Sequence, residues 1–359
     1  MAATIRDIKN VTGLSLATIS KYLNGGNLLP ENRIKIEKAI KDLHYEVNEM
    51  ARGLVTSQSK TIGVVVFDIS NVFTCTLLGH LGSRLREAGY AVMTCDSQND
   101  PQLEMDNIRF LMGKKVDGLI IMPTSQSPAF LESPVNAGIP VVLLDRSVGD
   151  SRVDCVKINN QEASAEALKL LAGYGHRKIA VIGSETIITG KERLEGCLAA
   201  LREEQIDLPS RYLKLGDHSI EHGYQSMQEL LALPDPPSAV FLGNFEIILG
   251  AVMAINESSF NCPDDISVVG FDDLIVSNLS KPRLSVVVQP LRSLAEETVR
   301  LLLSRIEYDK NAETNEHTPD EPTHVELVLK ARIVEGDSVA PANGAKRFAR
   351  ERPSDRNIG

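Results

Sequence analysis

No stretch of the 359 residues approaches the ~18 consecutive apolar residues that a membrane-crossing helix requires. The N-terminus, MAATIRDIKN, has no apolar run of signal-peptide length and carries Asp7 where one would sit. Export is therefore not expected, and the chain reads as cytoplasmic with no membrane partner. Cysteine is scarce: Cys75, Cys95, Cys155, Cys197 and Cys262 are widely spaced, odd in number and without a CxxC pair. That excludes a zinc ribbon or a disulfide framework and suits small buried hydrophobes in a reducing compartment. Catalytic signatures are missing too. There is no HExxH, no GxSxG, and no GxGxxG opening the first sheet strand. Gly183…Gly190-Lys191 resembles a phosphate-binding loop only superficially, because six residues separate the glycines and Glu192 stands where Ser or Thr is required. The seven histidines show no metal-ligand spacing, and His176, in a GHRK turn before a strand, reads as structural. Neither an enzyme nor a bound cofactor or metal is expected.

What is present is uneven charge. The net charge is −10, yet residues 1–60 hold nine Lys/Arg against six Asp/Glu, a net of +3 that leaves −13 for the remainder. A cationic head on an acidic body suits a molecule that meets phosphate at one end only. At ~150 residues per domain the length predicts two to three domains.

The first 45 residues read as three short helices. Thr4 begins the first, with Asp7 three residues later in a capping-box-like start. Thr12-Gly13-Leu14 is a tight turn; Ser15 can cap a second helix over 16–23, which stops at Asn24-Gly25-Gly26. Pro30 opens a third helix through Leu43. Ile5, Ile8, Leu14, Ile19, Leu23, Ile36, Ile40 and Leu43 would form the core. Two short helices about a glycine-containing turn, then a longer one, constitute a helix-turn-helix. Residues 46–60 could make about two helical turns, but Gly53 weakens them and such a helix is marginal alone in water. The segment is read as a hinge that orders when something docks on it.

From Thr61 onward, apolar β-branched runs at 62–67, 90–95, 118–122 and 141–144 alternate with amphipathic helical patterns; the rhythm repeats at 179–183, 212–215, 239–242 and 267–270. Wholly apolar strands between helices imply parallel sheets covered on both faces. Two such runs predict two doubly wound lobes facing a cleft, with ligands beyond the carboxyl ends of the strands. Residues 309–322 read as a polar surface loop. The expected domains are a helix-turn-helix at 1–46, a hinge at 47–60, a two-lobed effector-binding and dimerisation body at 61–335, and a flexible tail at 336–359.

The segment TIRDIKNVTGLSLATISKYLNG resembles the DNA-binding domain of the LacI/GalR family of bacterial transcriptional regulators. The likeness continues through ARGLVTSQSKTIGVVV, VDGLII, GIPVVLLDR, YGHRKIAVIG, GDHSIEHGY, DDISVVGFDD and VVVQPL, covering roughly residues 3–332. It implies an all-α reading head on an α/β body of two periplasmic-binding-protein-type lobes. The helix over 16–23 would enter the major groove. Leu16 and Ala17 occupy the sequence-discriminating positions, where methyl contacts to thymine fit and bidentate hydrogen bonds do not. Lys21 stands where the family usually has Arg, and gives a point charge without a planar fork. Thr4, Ser15, Thr18, Ser20 and Asn24 are candidates for phosphate positioning, with Ser15 equally readable as a plain helix cap. Leu54 matches the hinge leucine that the family wedges into the minor groove, with Asn48 and Arg52 against the backbone. Two hinges meeting at the centre of a palindromic operator in double-stranded DNA require a homodimer.

Family effector contacts fall on Phe73, Arg146, Asn160, Arg193, His218, Asp272 and Gln289, with Asp68, Asp145 and Asn159 nearby. Phe245, Asn159 and Thr74 depart from the family pattern. The first two remove carboxylates, while Arg146 and Arg193 remain. Either the pocket favours an anionic sugar derivative, or each Arg pairs with a neighbouring acid. The resemblance implies a repressor of carbohydrate-related genes controlled by a sugar-like effector. The competing reading, a solute-binding protein of a transport system, shares the body but has no use for a basic trihelical head. If Leu54 is the wedge, Leu54→Ala should weaken binding to a specific palindrome by ~10-fold or more while leaving binding to unrelated duplex nearly unchanged; equal loss on both, in a titration at one salt concentration, would contradict that role.

Overall fold

The structure is a computed structural model that describes residues 3–23, 26–45, 58–272, 280–314 and 323–342. Four expected DNA contacts, Asn24, Asn48, Arg52 and Leu54, lie outside the described residues, as does most of the expected hinge.

The head is built of three helices, α1 (Ile5–Thr12), α2 (Leu16–Leu23) and α3 (Pro30–Asp42). Gly13, with φ 68°, ends α1 in the left-handed region that favours glycine. Ile8, Ile19, Ile36 and Ala39 are the buried centre, flanked by Ile5, Leu14, Leu23, Ile40 and Leu43. The i, i+3, i+4 periodicity identified these positions because each helix is too short to hide more than one face. Across the α2–α3 seam the Tyr22 hydroxyl donates to Glu37 Oε1 at 3.1 Å, and the Arg33 guanidinium lies 5.9 Å from the Tyr22 ring centre.

Two six-stranded sheets form the body. The first contains β1 (Thr61–Val66), β2 (Ala91–Asp96), β3 (Gly118–Ile121), β4 (Val141–Leu144), β5 (Asp154–Ile158) and β11 (Glu326–Leu329), in the order β11-β5-β4-β3-β1-β2. Every pairing in it is parallel. The second contains β6 (Ile179–Gly183), β7 (Leu213–Leu215), β8 (Ala239–Leu242), β9 (Ser267–Phe271), β10 (Ser285–Val288) and β12 (Arg332–Val334), in the order β12-β10-β9-β8-β6-β7. There β12 alone runs antiparallel to its neighbour. Helices that matter below are α4 (Val72–Glu87), α5 (Pro101–Gly113), α7 (Asn160–Gly173), α8 (Ile188–Glu203), α10 (Phe245–Glu257) and α11 (Leu291–Thr314).

The lobes are not consecutive halves of the chain, as the two runs of strands suggested. After β5 the chain leaves the first sheet for α7 and the second lobe, returns after β10 through α11 to β11, and crosses again to β12. Strands β5, β10, β11 and β12 were not among the runs read from the sequence; β11 and β12 are edge strands with alternating or mixed burial, which leaves no apolar run. Two further expectations need correction. The loop expected from 309 starts later, since α11 runs to Thr314. Residues 336–342, expected in the flexible tail, pack on the second lobe. Ser338 is fully buried; its hydroxyl accepts from Ser285 N at 2.8 Å and donates to Val268 O at 2.7 Å. Ala340 O meets His176 Nε2 at 3.0 Å, and Ala342 N donates to Tyr174 O at 2.9 Å. Backbone and hydroxyl bonds hold this strip together with one apolar contact, Val339 against the main core, and a single apolar residue leaves no period in the sequence. Among the described residues no helix is long and apolar enough to cross a membrane.

Ser338→Ala would leave the buried Ser285 N–H without an acceptor, so it should destabilise the chain by about 1–3 kcal/mol, read as a lower urea midpoint at unchanged slope.

Candidate functional site

On the head, Ser15 Oγ accepts the Thr18 N–H at 3.1 Å and lies 2.8 Å from Thr18 Oγ1. Ser15 therefore caps α2, whatever else it touches. Thr4 likewise caps α1, its N–H and hydroxyl both donating to Asp7 Oδ2 at 2.8 and 2.7 Å. Ile19 is the inward anchor of α2, which turns Leu16, Ala17 and Lys21 outward: all three are exposed, Leu16 to 39%. Thr18 and Ser20 are half-buried on its flanks. Leu16 in the first turn of α2 and Lys21 in its last turn are both open to solvent.

Between the lobes, the C-terminal ends of the strands bring the charged groups together. In the first lobe Arg146 is buried, with its guanidinium carbon 4.0 Å from the Phe67 ring centre, Nη1 donating to Pro123 O at 2.9 Å, and Nε 3.4 Å from Asp145 Oδ2. In the second, Arg193 is buried over Phe271 at 3.7 Å; Nε donates to Asn160 Oδ1 at 2.9 Å, Nη1 donates to Gly243 O at 2.8 Å, and Asp272 Oδ2 lies 3.8 Å away. Gln289 Nε2 donates to the other Asp272 oxygen. Asp145 and Asp272 both adopt left-handed backbone, φ 73° and 87°, a conformation that non-glycine residues hold only where their surroundings fix it. Burial pushes the Asp145 carboxyl up and the Arg146 guanidinium down, although each charge partly restores the other.

Arg193 and His218 line a small cavity of about 10 Å³ with Ser184, Gly190, Phe241 and Gly243. That is room for roughly one water centre, and all the lining residues belong to the second lobe. Among the described residues His218 Nε2 has no hydrogen-bond partner. Burial, then Arg193 and Arg146, push the His218 imidazole down to about 3. Thus Arg193, Asn160, Asp272 and Gln289 form one connected group, with His218 sharing the cavity and Arg146 facing it from the other lobe. Phe73, expected as a flat wall for a ring, is only 8% exposed and packs in the hydrophobic core on α4.

Several residues of the cleft were not singled out from sequence. Glu246 is the most consequential. Phe245 had suggested a lost carboxylate, but the next residue supplies one: Asn71 Nδ2 donates to Glu246 Oε1 at 2.8 Å across the lobes, and Asn244 Nδ2 donates to Oε2. Burial, with Asp272 and Asp68 nearby, pushes the Glu246 carboxyl up. A second cross-lobe bond runs from Gln126 Nε2 to Thr186 O at 3.1 Å. Glu104, fully buried on α5, accepts from Thr124 N at 2.5 Å and Ser125 N at 3.3 Å and so fixes the loop after β3. Nearby, Thr74 Oγ1, Ser97 Oγ and Thr124 Oγ1 are buried without a partner among the described residues. For Asn244, Ser97 and Thr124 the signal was positional, a polar residue just past the end of an apolar strand, whereas Glu104 and Thr74 sit within helices and gave none. Asn159 proves to be a hinge residue: its Oδ1 accepts from Ala331 N at 2.8 Å and its N–H donates to Leu329 O at 3.1 Å.

The family described as a periplasmic binding protein-like domain matches residues 168–339. The chain is 33% identical over 337 residues to the HTH-type transcriptional repressor PurR of Mannheimia succiniciproducens, covering 92% of this chain and 98% of that protein. It is 31% identical over 307 residues to the ribose operon repressor of Escherichia coli (strain K12), covering 85% and 93%. Among solved structures, the lac repressor dimer bound to operator and the anti-inducer ONPF superposes with a TM-score of 0.82 at 24% identity, covering 95% of this chain and 100% of that one.

His218 accepts a proton near pH 6.5 when unfolded but only near 3 when folded, so its contribution is complete above 6.5 and is lost as pH falls toward 3. His218→Phe should therefore lose less thermal stability than the parent between about pH 7 and about pH 5; equal losses in a calorimetric pH series would contradict the burial of a neutral imidazole.

Proposed function

This chain belongs to the LacI/GalR family of DNA-binding transcriptional regulators, and from that premise we propose that it is a homodimeric repressor of carbohydrate-related genes whose grip on a palindromic operator is set by a neutral, hydroxyl-rich effector between its lobes. Leu16 and Ala17 read thymine methyls in the major groove; Lys21 adds a cation, and Thr4, Ser15, Thr18, Ser20 and Asn24 hold phosphates. Leu54 enters the minor groove with Asn48 and Arg52 beside it. A protein that works on chromosomal DNA works in the cytoplasm.

The observation that carries the effector half is the pairing of the cleft charges. Arg146 lies against Asp145, and Arg193 against Asp272 and Asn160. Glu104, Glu192 and Glu246 add further carboxylates, with Glu192 accepting from Asn160 Nδ2 at 2.8 Å. Each arginine already faces a carboxylate, so an anionic ligand would gain less here than on an unopposed cation, while Arg146 Nε, without a hydrogen-bond partner among the described residues, is a donor that a hydroxyl can meet. Hydroxyls can both donate to Asp272 and Glu246 and accept from Arg193, Asn160 and Gln289, which water alone does in the open state. The relative in Escherichia coli is named for ribose. Here the pentose and hexose classes are equally compatible with the polar set.

The lobes' mutual bonds, Asn71 to Glu246 and Gln126 to Thr186, exist only while the lobes are close. An effector that replaces or completes them shifts the closure equilibrium by its differential affinity for the two arrangements. The first lobe carries the connector, so its movement resets the separation of the two hinges in the dimer.

A thermal-shift series of the full chain against neutral pentoses and hexoses, the matching sugar acids and purine bases tests the reading. At a hundred-fold excess over Kd, a neutral sugar should raise the midpoint by several degrees (about 2.7 kcal/mol of linkage), and the same sugar should change operator affinity in a gel shift. A response confined to sugar acids or to purines would overturn the effector assignment.

A further inference from the structure

The chain enters the body through a turn that is held far more firmly than a strand start requires. Lys60, the residue before β1, adopts φ 51°, left-handed backbone that a side-chain-bearing residue occupies only where its surroundings dictate it. They do so here from three places. The Asp117 carboxylate, just ahead of β3, accepts from Ser59 N at 2.6 Å, from Ser59 Oγ at 2.8 Å and from Lys60 N at 3.1 Å. Lys60 O accepts from Ala91 N at 2.8 Å, and its ammonium lies 4.6 Å from the ring centre of Tyr90, which is buried. Ser59 and Thr61 close the turn locally, Thr61 N donating to Ser59 Oγ and Thr61 Oγ1 to Ser59 O, each at 3.2 Å.

The register of β1 does not need these bonds. Thr61 onward is already paired with β2 and β3 on both sides. The carboxylate acts on Ser59 and Lys60, outside the strand, and what those residues determine is the direction in which the preceding chain departs. That chain is the connector to the reading head. Asp117 is also remote from the cleft: it stands at the N-terminal edge of the first sheet, whereas Arg146, Asp145 and Phe67 stand at the C-terminal edge.

We propose that Asp117 is a positioning residue for operator binding: its carboxylate fixes the exit angle of the connector, so that movement of the first lobe reaches the reading head as a change of direction instead of being taken up by slack. This rests on the DNA-binding reading given above. It adds a residue that neither contacts DNA nor faces the effector.

The test uses the full-length chain and two duplexes of equal length, the palindrome that the parent chain enriches from a random-sequence pool and a shuffled version of it. Asp117→Ala should bind the palindrome ~10-fold more weakly and the shuffled duplex within ~2-fold of the parent, since three hydrogen bonds at the turn are lost while no phosphate contact is. Asp117→Asn retains an oxygen for Ser59 but faces Lys60 N–H with a donor, so it should fall between the two. The melting midpoint of the body should stay within about 5 °C, because the strand pairing is untouched. Unchanged palindrome affinity in Asp117→Ala overturns the inference, and so does an equal loss on both duplexes accompanied by a collapsed melting midpoint. If Asp117→Ala does not fold, Asp117→Asn and Ser59→Ala carry the same comparison, and parent-like palindrome binding by both overturns it. A parent chain that enriches no duplex at all is a different failure, of the DNA-binding reading itself.

Discussion

Among the described residues the body buries three guanidinium groups: Arg305, paired with the fully buried Asp154 at 2.8 Å, and two that stand at the cleft, Arg193 and Arg146. Taking a cation out of water costs several kcal/mol unless its donors are met and its charge is opposed. Arg193 is met by Asn160 from the start of α7, by Gly243 O just past β8, and by Asp272 just past β9, with the Phe271 ring beneath it. Arg146 is met by Pro123 O just past β3 and opposed by the Asp145 charge beside it, with the Phe67 ring beneath, while its Nε has no hydrogen-bond partner among the described residues. The two arrangements repeat one another: an arginine over a phenylalanine at the end of a strand, next to an aspartate in left-handed backbone. Each can be assembled only where several parallel strands end together, which is why both stand at the carboxyl edges of the sheets. Both sets mix donors and acceptors at the cleft, and the proposal of a hydroxyl-rich effector rests on that chemistry.

Two of the segments that cross between the lobes are bonded to each other, Asn159 to Leu329 and Ala331. Beside them Lys157 on β5 reaches Glu192 on α8 at 3.5 Å and Glu326 on β11 at 3.0 Å, joining the lobes through a half-buried cation. Glu192 is in turn bonded to Asn160, which holds Arg193. The crossing segments and the cleft thus share side chains, running from Lys157 through Glu192 and Asn160 to Arg193.

Much of this was legible in the residues, and the parts that were not share a cause. Ile8, Ile19 and Ile36 in the head, and the runs at 62–67, 118–122, 179–183 and 239–242, announce themselves because one buried face or two buried faces leave a period in the sequence. Arg193, Asn160, Asp272 and Gln289 were identified through family resemblance, and they are adjacent. Periodicity has nothing to say of Glu246, whose carboxylate reaches a place that Phe245 had seemed to vacate, or of Asp117, whose meaning depends on a turn 57 residues earlier. The same holds for Ser338, a buried hydroxyl in a stretch rich in small polar residues. These are polar groups whose partners are distant in sequence, and a single sequence does not encode who meets whom. Hydrophobic burial is averaged over many residues and survives that loss; a particular hydrogen bond is not.

How a small ligand could govern a reading head follows from where β1 lies. Its six residues span about 20 Å, with Phe67 and the Arg146 guanidinium just beyond one end and the Lys60 turn at the other. Ile62 to Val66 are fully buried between β2 and β3, so the strand cannot stretch or slide independently of its lobe. On the proposed function, effector and connector are coupled by the lobe moving as one piece, with no relay of side chains needed. Allosteric coupling free energies amount to about 1–3 kcal/mol, little more than the freedom of one or two unconstrained backbone residues. A loose joint between lobe and connector would absorb that much. The left-handed turn at Lys60, clamped by Asp117 and Tyr90, removes the looseness at the one point where the chain passes from a rigid sheet to the connector, and a signal this small needs that rigidity to arrive.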